Sequence, residues 1–184
     1  MLTTVLGGAL GWFFQNRSWR NENNARLRED ELRRADNVCQ SLSSLLDKRL
    51  YRMLRLFYAL RAAAGSTHSE AVEERLRDYD TVLFEWNDAL NLHLALVGTY
   101  FGDSARRWLD DEIYAGFQEL GLRLEARYRT LGSATSTRDD DTEIERSFAA
   151  LNDEVYRFGL LMMTGLRDGK VGRNAPDLAS AASR

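Results

Sequence analysis

Residues 89–102 read ALNLHLALVGTYFG, fourteen positions without an Asp, Glu, Lys or Arg in a chain that is 29% charged. Asp88 closes the run on one side and Asp103 on the other. At about 1.5 Å per residue it makes a helix of roughly 21 Å, shorter than a hydrocarbon core of about 30 Å. A charge-free helix of that length is expected to be buried by protein, with the other helices packed around it. The face it continues starts upstream. Val72, Leu76, Tyr79, Leu83, Trp86, Leu90, Leu94, Val97 and Phe101 share one side of a helix turning about 100° per residue. After Asp88 a second apolar side opens at Leu92 and Leu96, which predicts burial on more than one side. Flanking helices or a second copy of the chain can supply that cover, so Leu92 and Leu96 are the candidate oligomer face.

Working outward, three further amphipathic segments appear. Cys39, Leu42, Leu46, Leu50, Met53, Phe57, Leu60 and Ala64 recur at three- and four-residue spacing, with Gly65 placed to end that helix. Thr67-His-Ser-Glu70 has the pattern of a capping box for the helix that follows. Gly102 stops that second helix and Asp103 can cap a third, and so short a turn makes the two antiparallel neighbours. The third helix carries Leu109, Ile113, Phe117, Leu120, Leu124 and Leu131. GSATSTRDDD at 132–141 is a loop by composition, and Thr142-Glu-Ile-Glu145 is a second capping box. Ile144, Phe148, Leu151, Val155, Phe158, Met162 and Leu166 then mark a fourth helix.

The only proline is Pro176, so no upstream helix is interrupted by one. The expected fold is therefore all-α. It is an antiparallel four-helix bundle with a long first helix, preceded by an apolar N-terminal helix. The expected organisation is an apolar membrane anchor over 1–20, a polar helical lead-in over 21–37, the bundle over 38–168 and a disordered tail over 169–184.

The N-terminus, MLTTVLGGALGWFFQ, has no charged side chain before Arg17. It lacks the leading basic residues and small-x-small site of a secretory signal. Leu2, Val5, Leu6, Leu10, Trp12, Phe13, Phe14 and Trp19 form the candidate membrane anchor, with the aromatic residues placed for the interface. Gly7 and Gly11 have the GxxxG spacing that lets two such helices approach. Positive charge lies only after this segment, which places the bundle on the cytoplasmic side. Residues 17–61 hold eleven Arg and Lys against six Asp and Glu, a net of +5. Residues 62–184 hold fourteen against twenty-two, a net of −8, for a chain total of −3. A basic segment beside an apolar terminus suits membrane lipid, and its interleaved carboxylates argue against nucleic acid as a partner.

Familiar chemistries find little support. No Glu stands three residues before His68 or His93, as di-iron bundles require. One Cys and two His give no zinc spacing, and DDD lacks the alternating ligands and Gly of an EF-hand. His93 with Met162 or Met163 could be drawn as a haem pair, but a lone His beside an apolar seam is ordinarily a core residue. No phosphate loop or nucleophile elbow is present, so no cofactor, metal or catalytic residue is expected. Cys39 falls in the seam of the first helix and reads as a small buried side chain.

Trp86, Asn87, Asn91 and His93 are the candidate pocket or register residues, since polar groups at the edge of a seam must find partners if buried. The expected function is a non-enzymatic, membrane-attached cytoplasmic bundle. It acts as an anchor, adaptor or oligomeric effector subunit, with a homo-oligomer or protein partner. The alternative is a bundle that senses a small ligand in an internal pocket near Trp86, Asn91 and His93.

Overall fold

A computed structural model describes the backbone of residues 2–65, 69–131 and 138–175, and the side chains of 22–65, 69–131 and 140–175. It is an all-α bundle without strands among the described residues. The first helix spans Leu2–Ala62 and the second Glu70–Phe101. The third, residues 103–129, opens as Asp103–Arg107, widens to a π-helical segment at Trp108–Tyr114 and resumes as Ala115–Arg129. The fourth spans Arg138–Arg167, and a 3₁₀ turn follows at Gly172–Asn174.

Cross-helix contacts establish the topology. Between the second and third helices, Glu73 meets Tyr128, Tyr79 meets Gly121 and Trp86 meets Phe117, so one number rises as the other falls. The first and second pair the same way through Arg52 with Asp78 and Lys48 with Glu85. The third and fourth do so through Arg123 with Glu143 and Trp108 with Glu154. Arg61 with Glu145 and Phe57 with Phe148 close the ring between fourth and first. Every neighbouring pair is antiparallel, an up-down-up-down bundle.

The core follows the apolar seams. Trp86, Phe57, Phe117, Phe158, Met53, Leu109 and Ile113 are fully buried, each contributing roughly 1.5–3 kcal/mol from removing its side chain from water. Cys39 is buried and free, and burial raises its thiol pKa, so it behaves as the small apolar residue its place in the seam implies. Gly102 alone joins the second and third helices, at φ +92°, a conformation that glycine adopts without strain.

Several expectations are corrected. The second helix starts after Ser69, whose carbonyl takes the Val72 and Glu73 amides, rather than at Thr67, which lies outside the described residues. The fourth helix begins at Arg138, so Thr142 sits inside it and is not its cap. The acidic run thereby falls in the first turn, where negative charge suits the helix dipole. Its Asp141 lies 3.0 Å from Arg127 and 3.8 Å from Arg61.

The tail also differs from expectation. Arg28 donates to the carbonyls of Gly169 and Val171, and Arg173 pairs with Glu31 at 2.9 Å. Val171 and Ala35 are fully buried. Residues 169–175 are thus an ordered clasp closing on the lead-in, which is packed from Arg28 onward. The rest of the expected tail, 176–184, lies outside the described residues.

Candidate functional site

On the first helix, Leu42, Leu46, Arg49, Met53, Leu56 and Leu60 follow each other at three- and four-residue steps and face the core. One of them is charged. Arg49 is 2% exposed, as buried as the leucines around it. Its guanidinium carbon lies 4.6 Å from the Phe117 ring centre and 5.1 Å from that of Trp86. Trp86 in turn stacks on Tyr114, with centroids 6.5 Å apart and planes 18° from parallel. Three helices therefore converge on one cation.

Arg49 has no ionic counterpart among the described residues. Among the described residues no carboxylate pairs with it, and its Nε and Nη1 atoms have no hydrogen-bond partner. Burial pushes its pKa below the usual guanidinium value, opposed by the neighbouring Tyr79 hydroxyl. It stays protonated all the same, because guanidinium loses its proton only far above neutral pH. Tyr79 is no counter-ion. Burial is the main cause raising its phenol pKa, and the Arg49 charge only works against that shift. Two aromatic faces supply about 0.5–2 kcal/mol each, whereas removing an ion from water costs several kcal/mol. Among the described residues no carboxylate neutralises this charge, and its polar neighbour is the hydrogen-bonded Tyr79 hydroxyl.

Arg49 is among the residues lining a cavity of about 630 Å³, within the usual range for small-molecule sites of about 300–1,000 Å³, while its Nε and Nη1 atoms are themselves closed to water. Leu56, Leu76, Leu83, Phe117 and Leu124 make its apolar wall, and Tyr79, Tyr114 and Tyr128 add phenols. Gln118 donates to the Tyr114 hydroxyl at 2.9 Å, and Tyr128 donates to Glu73 at 2.8 Å. Asp80 and Glu125 also line the cavity, and Glu125 pairs with Arg129. The π-helical segment ends on Tyr114 at this level, and such widened turns are frequent at functional sites.

The expected pocket residues divide. Asn87 lines the cavity and Trp86 lies against Arg49. Asn91 is exposed, and neither it nor His93 lines the cavity. His93 is buried, its Nδ1 has no hydrogen-bond partner, and burial lowers its pKa. Within the single chain the Leu92 side of the second helix is left uncovered: Leu92 is 60% exposed and Leu96 half-buried. The reason is geometric: the first and third helices and the Gly172–Asn174 turn pack against it, and the exposed Leu92 side is turned away from them. Arg49 escaped the sequence reading because Leu50, beside it, completes an apolar stripe by itself. The missed signal was a charge on the stripe 42, 46, 49, 53, 56, 60.

The anchor residues Leu2, Val5, Leu6, Gly7, Leu10, Gly11, Trp12, Phe13, Phe14 and Trp19 lie outside the described side chains. Among the described residues no helix is long and apolar enough to cross a membrane, and no three His, Cys, Asp or Glu group as a metal site. Comparison with known proteins finds no match to a protein-family model, a curated protein or a solved structure.

Proposed function

We propose that this chain is a non-catalytic helical bundle that receives a small ligand in the cavity beside Arg49. The observation carrying this reading is the guanidinium itself, fully buried and without a carboxylate partner at the wall of a ligand-sized space. Leaving a cation so placed is costly, and a ligand that pairs with it recovers the cost. Thermal unfolding of the full chain across small carboxylates, alcohols, amines and amides tests it. A ligand that binds the folded state raises Tm with its concentration. No shift from any of the four classes contradicts the reading.

A second reading concerns where the bundle works. We propose attachment to a membrane through the N-terminus, with the bundle on the cytoplasmic side as an anchor, adaptor or oligomeric effector subunit. What supports it is continuity: the helix that starts at Leu2 is the one that carries Arg49 and ends at Ala62. At about 1.5 Å per residue that continuous helix is roughly 90 Å long and links the apolar end to the core. The exposed Leu92 side gives a partner or second copy an apolar contact. Leu6→Glu with Leu10→Glu in the full chain should move it from the membrane to the supernatant fraction. Unchanged fractionation contradicts the attachment.

A further inference from the structure

Resting on the ligand-receiving reading, we infer that the cavity takes a monoanion: a carboxylate carried on an apolar or aromatic body, paired with Arg49. Three features of the cavity select that class.

The first is the unmet charge. Among the described residues lining the cavity Arg49 is the sole cation; Tyr79 hydrogen-bonds to its guanidinium, and its Nε and Nη1 are unpartnered. A carboxylate supplies both a formal charge and acceptor oxygens, which an alcohol or amide does not.

The second feature limits the ligand to one negative charge. Residues of the first, second and third helices make the cavity wall, and their backbone amides are committed to helical bonds. The lining thus lacks the cradle of free N–H groups that phosphates ordinarily take. Asp80 and Glu125 line the same space, so the lining holds two carboxylates to one cation; their repulsion acts on any anion and is greatest for a dianion.

The third is the remainder of the wall. Leu56, Leu76, Leu83, Phe117 and Leu124 offer hydrocarbon and an aromatic ring, which suit an apolar body.

Isothermal titration of the full chain with 4-phenylbutyrate, 4-phenylbutan-1-ol and 4-phenylbutyl phosphate tests the assignment. Two variants accompany it. Arg49→Met removes the charge while keeping the volume, and Leu122→Trp narrows the cavity at a lining residue that is 67% exposed. The carboxylate is expected to bind at least tenfold tighter than the alcohol or the phosphate. Arg49→Met should abolish that preference, and Leu122→Trp should weaken every ligand. Equal binding of acid and alcohol, insensitive to Arg49→Met but lost in Leu122→Trp, overturns the monoanion and leaves the cavity reading standing. Tighter binding of the phosphate overturns the limit to one charge. If none of the three ligands binds, both the inference and the reading beneath it fail. A folded Arg49→Met protein, shown by circular dichroism, keeps the comparison valid.

Discussion

The guanidinium carbon of Arg49 lies 4.6 Å from the centre of the Phe117 ring, a cation held against an aromatic face inside an apolar core. This contact ties the first helix to the third, and Trp86 brings in the second. The same contact leaves the charge incompletely compensated, since an aromatic quadrupole replaces only part of the hydration it displaces. The other buried arginine among the described residues, Arg127, has a carboxylate partner, and that contrast makes Arg49 stand out.

Arg127 and Asp141 show the paired case. They meet at 3.0 Å and are only 9% and 14% exposed. Asp141→Ala strands Arg127 in the core, so we expect a loss of about 2–4 kcal/mol by urea unfolding, near the range for breaking a buried pair. The double variant Arg127→Met, Asp141→Ala should recover part of that loss.

The clasp between 28–31 and 169–173 should stabilise the bundle measurably. Val171 is fully buried, and its truncation in Val171→Ala is expected to cost about 1–3 kcal/mol. Arg28→Ala frees the carbonyls of Gly169 and Val171 and should speed amide exchange at Gly172–Asn174. Unchanged exchange there would remove the clasp from the account.

His93 sets a pH dependence above the carboxylate range. Burial lowers its pKa in the folded chain, so below the unfolded value of 6.5 the unfolded state binds the proton more readily. Stability should therefore fall as pH drops through 6.5, and His93→Leu should flatten that part of the curve. Glu31 acts in the same direction but at lower pH. Its pKa is held below 4.5, chiefly by the hydrogen bond from Arg173 and then by that from Arg28. A Tm that is flat between pH 7.5 and pH 5.5 would contradict the role of His93.

Much of the architecture was legible because apolar spacing reports which side of a helix meets the core. Leu109, Ile113, Phe117, Leu120 and Leu124 all land where their period puts them. Helix starts were less legible. Thr142 offered a capping box, yet the acidic residues before it extend the helix, and Asp141 finds Arg127 and Arg61. The tail misled for a different reason. Val171 is a lone apolar residue without periodicity, and only a long-range contact reveals its burial. The π-helical widening at Trp108–Tyr114 has no glycine or proline to announce it. Of the four candidate pocket residues Asn87 lines the cavity and Trp86 lies against Arg49, whereas Arg49 itself was hidden by Leu50. A charged side chain on an apolar stripe is ordinarily assigned to the surface, and only the packed bundle shows that this one is inside.

The central claim is that Arg49 is kept for a ligand and not for the stability of the bundle. Urea unfolding of the full chain and its Arg49→Met variant, without added ligand, tests this directly. Replacing buried ionic groups by apolar ones of similar volume is often neutral or stabilising by about 1–4 kcal/mol, and that is the result predicted here. A variant less stable than the parent by more than about 2 kcal/mol would show that the cation supports the core, and would contradict the account.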